Sequence, residues 1–141
     1  MVRATTSLAF VLGLLCAQAQ APEVGHNNAI VILHKPTVPE IACAIAAIEG
    51  WNQPGSLTRR LHNPGALVYV GQKTAKPGLA GYAWFPDDDA GWAAERRDLA
   101  LKVTAGMDLP TIARVWAQAE TRQYLALLRK ILAAPPAWCP V

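Results

Sequence analysis

One carboxylate stands out by its surroundings. Glu49 closes the apolar stretch Ile41-Ala42-Cys43-Ala44-Ile45-Ala46-Ala47-Ile48 and is followed at once by Gly50 and Trp51. An acid at a helix C-terminus sits beside the negative pole of the helix dipole, which is the unfavourable end for it. Such a carboxyl, set next to an aromatic ring, holds its proton more tightly than usual. A retained proton is what a general acid needs. The rival reading of Glu49 is a solvated charge at a helix end.

Other polar residues could join it, and each has a plainer reading. Asn63, in the turn Asn63-Pro64-Gly65, either contacts a ligand or holds the turn through its own side chain. His62 either donates to a ligand or is a surface histidine. Tyr82 either stacks on a ligand or joins the core. Trp51 belongs with the site through its place beside Glu49, whereas Trp92 and Trp116 read as core. Asp87, Asp88 and Asp89 follow Pro86 and read as helix-capping acids. His26 and His34 lack Cys or acidic partners at metal-ligand spacing, so no metal site and no cofactor are expected. The sequence has no phosphate-cradling glycine loop, no H-E-x-x-H and no nucleophile elbow.

These residues need a scaffold. The chain has 141 residues and a net charge of +3, enough for one domain. Residues 1–19 read as a signal peptide: Arg3, then the apolar run from Leu8 to Leu15, then Ala17-Gln18-Ala19 as a cleavage site. The run is too short to span a bilayer, so no stable membrane anchor is expected after cleavage. No Lys/Arg cluster with interleaved aromatics points to nucleic acid. Cys43 and Cys139 remain after cleavage, and an even pair in an exported protein reads as a disulfide. The alternative is a buried Cys43 and a free Cys139.

Residues 20–36 form an N-terminal arm in which Ala29 to Leu33 is either a short strand or an extended segment. Thr37 and Glu40 have capping-box spacing for a helix whose Ile41, Ala44, Ile45 and Ile48 share a face. Leu67-Val68-Tyr69-Val70 and Gly81-Tyr82-Ala83-Trp84-Phe85 are expected to pair as a small antiparallel β unit. A helix follows from Asp87–Asp89 with Trp92, Leu99 and Val103 as its buried stripe, ending at Gly106. The next is capped by Asp108, with Ile112, Val115 and Trp116 facing inward. The last, 120–133, buries Tyr124, Leu127, Leu128 and Ile131, and Pro135-Pro136 ends it. The fold class is therefore mainly α (α+β), with a domain over 37–134 and a tail over 135–141.

An ordered set of short motifs resembles a bacterial and phage lysozyme-like group, itself similar to goose-type lysozymes and lytic transglycosylases. The set is Glu49-Gly50-Trp51, Pro54-Gly55-Ser56-Leu57, Asn63-Pro64-Gly65 with Leu67, Tyr82-Ala83-Trp84-Phe85-Pro86, Gly91-Trp92 and Thr111-Ile112-Ala113-Arg114-Val115-Trp116. It covers about residues 38–133. Two positions depart from the group's N-N-P-G-N-L string, which has Asn where this chain has His62 and Ala66, and the acid before Gly91-Trp92 is shifted to Asp89. The resemblance implies a lysozyme-like helical domain with a small β-hairpin insertion, Glu49 as a single general acid/base that protonates the glycosidic oxygen, and Asn63, Tyr82, His62 and Trp51 as sugar contacts. It implies a periplasmic or secreted muramidase or lytic transglycosylase whose partner is the peptidoglycan glycan strand. The departures leave a second reading from another class: a non-catalytic periplasmic wall-binding or interaction domain that keeps the fold.

Overall fold

A computed structural model describes residues 34–139 of the chain. The expected signal peptide, His26 and the segment from Ala29 to Leu33 lie outside the described residues. The order of elements is α1 (Val38–Ile48), α2 (Leu57–Arg60), β1 (Lys76–Pro77), a short 3-10 turn (Leu79–Gly81), β2 (Ala83–Trp84), α3 (Asp88–Thr104), α4 (Leu109–Trp116) and α5 (Thr121–Ala133). The fold is mainly α with a small antiparallel β unit, as expected. Among the described residues no helix is long and apolar enough to cross a membrane.

Local signals in the sequence set the helix starts. The Thr37 side chain accepts from the Glu40 backbone N–H while the Glu40 carboxylate accepts from the Thr37 N–H at 2.7 Å, a complete capping box. Those bonds also hold the Glu40 carboxyl below its ordinary range. Asp87 caps α3 by accepting from the Ala90 N–H at 2.8 Å, and Asp108 caps α4 by accepting from the Thr111 N–H at 2.9 Å.

α1 is the hub. It packs against α3 and α5, and α4 packs against α5. Its residues 41 to 46 are all buried, and three of them are alanines, which let neighbouring helices come close. Ile41, Ile45, Leu99, Ile112, Tyr124 and Leu128 form the centre of the core with Trp51 and Trp92. The last two helices bury the expected faces except for one residue each: Ile112, Trp116, Tyr124, Leu128 and Ile131 are buried or packed against the core. Val115 is 43% exposed, whereas Ala113 is buried; Leu127 is 45% exposed, and Leu125 and Leu132 pack against the core instead.

The β unit is smaller than expected and differently paired. Val68 and Tyr82 meet in an isolated antiparallel bridge, flanked by bonds from the Tyr69 N–H to the Gly81 carbonyl and from the Ala83 N–H to the Leu67 carbonyl. The ladder itself joins Lys76 to Trp84 and Pro77 to Ala83. Asn63 ties this unit to the helices. Its side chain is fully buried; its amide nitrogen donates to the Leu67 and Ala83 carbonyls at 2.9 Å each, and its oxygen accepts from the Leu67 N–H at 2.8 Å.

The turn carrying Asn63 interlocks with α3. A Cβ on Gly91 would lie 1.8 Å from the His62 carbonyl oxygen, and one on Gly65 would lie 2.7 Å from the Glu95 carboxyl carbon. Only glycine lets the helix and the turn approach this closely. The indole N–H of Trp116 then donates to the Gly65 carbonyl at 2.9 Å and fastens α4 to the same turn.

Cys43 and Cys139 are joined as a disulfide, their Cα atoms 5.6 Å apart across 96 residues of sequence. The bond fixes the chain beyond α5 onto the buried face of α1. Replacing both cysteines with alanine should lower the unfolding free energy by about 4 kcal/mol, because the unfolded chain regains the freedom of a long loop. Urea denaturation under non-reducing conditions measures this, and an unchanged midpoint would contradict it.

Candidate active site

Glu49 is the C-cap of α1. Gly50 follows with φ +81°, and the Trp51 N–H returns to the Ala46 carbonyl at 2.9 Å, so the helix stops in a Schellman arrangement. This fixes where the Glu49 side chain leaves the backbone. The Thr58 hydroxyl donates to the Glu49 carbonyl at 3.4 Å and links α2 to the same point.

The carboxyl of Glu49 is half-buried, and Glu49 Oε1 accepts from the Tyr124 hydroxyl at 2.8 Å. Burial pushes the carboxyl above its ordinary value, while the tyrosine bond, which favours the charged form, pulls the other way. Burial also pushes the Tyr124 hydroxyl far above its usual range, with the charge of Glu49 adding to it, so Tyr124 is a proton donor and not an anion at any ordinary pH.

A second carboxyl lies behind the first. Glu95 on α3 is fully buried, and neither of its carboxyl oxygens has a hydrogen-bond partner among the described residues. Its group is held well above the ordinary carboxyl value, chiefly by burial; Arg96 opposes this, while the charges of Glu49 and Asp98 reinforce it. Glu49, Glu95 and Tyr124 therefore form one electrostatic cluster where α1, α3 and α5 meet.

The other expected residues are distributed as follows. Trp51 is 5% exposed and belongs to the core: its ring meets Trp92 edge-on at 5.6 Å, and Arg59 lies over it at 4.4 Å. Its ring packs in the core. Asn63 fits the turn-holding one of its two readings, since both polar atoms of its side chain bond backbone partners inside the fold. His62 Nδ1 pairs with Asp88 Oδ1 at 2.6 Å, and Asp88 also takes Arg59 at 3.1 Å. Tyr82 is half-exposed and lines a small cleft with Leu57, Thr58, Leu61, Asn63 and Ala66. That cleft touches Thr58, which holds the Glu49 carbonyl. A wider groove, about 540 Å³, runs between residues 72–74 and the outer side of α3, with Lys73, Thr74, Arg97 and Asp98 on its walls. Glu49 does not line it. Among the described residues no cluster of His, Cys, Asp or Glu is arranged to hold a metal ion.

Tyr124 and Glu95 were not foreseen as site residues. Tyr124 was expected only as core, yet a buried tyrosine needs a partner for its hydroxyl. Glu95 had a sequence signal: it lies three residues after Trp92 and four before Leu99, on the buried stripe of α3.

Both departures from the group's string fall on left-handed backbone. His62 has φ +51° and Ala66 φ +49°. Asparagine tolerates that conformation better than alanine does. No protein-family model, no curated protein and no solved structure matches this chain.

Two outcomes follow. Ala66→Asn should raise the unfolding free energy by about 0.5–1 kcal/mol by relieving the left-handed backbone, read from the thermal midpoint; a loss of stability would contradict it. Tyr124→Phe removes the donor to ionised Glu49, so the Glu49 pKa should move further up, by about one unit. Carboxyl-carbon NMR titration measures the shift, and a fall or no change would refute the assigned role.

Proposed function

We propose that this chain cleaves peptidoglycan glycan strands in the periplasm or after secretion, with Glu49 as general acid/base in a lysozyme-like domain. The single observation that carries the reading is the Glu49 carboxyl: half-buried at a helix C-terminus, raised above its ordinary value, and hydrogen-bonded by Tyr124. Such a group keeps a proton closer to neutral pH than an exposed glutamate does, and it has a donor in place for the anion it becomes. Glu49 gives its proton to the glycosidic oxygen as the C–O bond breaks. The resulting carboxylate then takes a proton from water, or from a hydroxyl of the same sugar, as that oxygen attacks the anomeric carbon. The mainly α architecture with a small β unit suits this reading, and the disulfide suits an oxidising compartment.

A second reading is favoured by one observation: a groove of about 540 Å³, walled by Lys73, Thr74, Arg97 and Asp98, does not include Glu49. A domain that binds the wall without cutting it would use that groove alone.

Turbidity loss of purified sacculi decides between them. Wild type should clear the suspension, and Glu49→Gln should slow clearing by a hundredfold or more, on the order of a lost general acid. Mass analysis of the soluble muropeptides then separates hydrolysed from 1,6-anhydro ends. Equal clearing by both proteins would remove Glu49 from the chemistry; wall binding without clearing by either would establish the second reading.

A further inference from the structure

Glu95 is buried more deeply than any other charged residue described, and it lacks what such a residue normally has. A carboxyl with no exposure and no hydrogen-bond partner is costly, and a leucine or methionine would fill the same space without that cost. The fold nevertheless makes room for it: residue 65 has no side chain, and a Cβ there would lie 2.8 Å from Glu95 Oε1. The head group is thus pinned beneath the Asn63–Gly65 turn. The titratable and charged groups that face it are Glu49 at the end of α1, Tyr124 on α5, and Arg96 and Asp98 on its own helix. The Arg96 guanidinium lies over the Trp92 ring, 5.6 Å from its centre.

We propose that Glu95 is a positioning residue for Glu49: it remains protonated under the turn and donates a hydrogen bond to the Glu49 carboxylate that forms when Glu49 gives its proton away. This rests on the reading of Glu49 as the acid. In the step, the Glu49 proton goes to the glycosidic oxygen, which keeps the electron pair of the breaking C–O bond. The Glu95 proton is not transferred. Its O–H turns toward the new anion, joining the Tyr124 hydroxyl as a second donor. Burial supplies the reason that Glu95, and not Glu49, is the carboxyl that stays neutral: the half-exposed group ionises first, and its charge makes ionisation of the deeper one harder still.

The test compares Glu95→Leu, which removes the donor, with Glu95→Gln, which keeps an N–H donor in nearly the same shape. The first readout is the Glu49 pKa by carboxyl-carbon NMR in the protein alone. It should rise by about one to two units in Glu95→Leu and stay within about half a unit of wild type in Glu95→Gln. The second is sacculus clearing at a pH where Glu49 is protonated in all three proteins. It should fall about ten- to a hundredfold in Glu95→Leu, the same shift expressed as a rate, and by no more than about threefold in Glu95→Gln.

Stability should move the other way. The contribution of Glu95 is least unfavourable below the ordinary glutamate pKa, where it is protonated both folded and unfolded. It becomes destabilising as pH rises toward the raised folded value, because only the unfolded chain releases the proton. Glu95→Leu lacks that loss and should melt higher at neutral pH. An unmoved Glu49 pKa in Glu95→Leu, or the same shift in Glu95→Gln, overturns the proposal. A shift confined to Glu95→Leu with no clearing even by wild type upholds the positioning role and removes the glycan-cleaving reading.

Discussion

The end of α1 is half-buried, and most of the site's properties follow from that. α1 is short and rich in alanine, so α3 and α5 can close on it from two sides, and a disulfide from its own Cys43 holds the chain beyond α5 down. Its last carboxyl is then half out of water by construction. The upward shift of the Glu49 carboxyl is a consequence of helix packing, with Tyr124 tempering what burial does. Loosening α5 would both hydrate the acid and remove its donor, so the stability of the helical core and the acidity of Glu49 are physically one matter.

The signals that were legible in the sequence are local ones. The capping box at Thr37 and Glu40, the aspartate caps at Asp87 and Asp108, and the glycine after Glu49 each act within four residues, and each is found where the pattern placed it. The paired cysteines were legible by chemistry, as one of two readings. Faces of short helices were less so. In the eight residues of α4, Ala113 and Val115 lie two apart and point to different sides, and it is Ala113 that is buried while Val115 is 43% exposed. The β unit was half legible, since residues 67–70 and 81–85 do approach, but Lys76 and Pro77 take the ladder. The Tyr124–Glu49 bond joins residues 75 apart, and no periodicity reports such a pair.

The motifs that suggested a sugar site turn out to hold the site's frame. Asn63 spends its amide on two strands' carbonyls, Gly65 and Gly91 permit the turn and α3 to touch, and Trp51 packs on Trp92. This changes what the departures at His62 and Ala66 put in doubt. Both positions have left-handed backbone, which asparagine and histidine adopt more readily than alanine. The alanine at position 66 costs backbone fit at the turn, and that cost is independent of any contact to a ligand.

Two carboxyls at different depths give one site two distinct protonation behaviours without a metal or a third acid. The difference in solvation between half-buried Glu49 and fully buried Glu95 separates their titrations, and mutual repulsion widens the gap. The turn at Asn63–Gly65 maintains that difference, because it is the lid that keeps water from Glu95. A turn that serves as frame for the β unit, as a socket for α3 and as a cover for a neutral acid has three reasons to keep its shape, and none of them requires it to touch substrate.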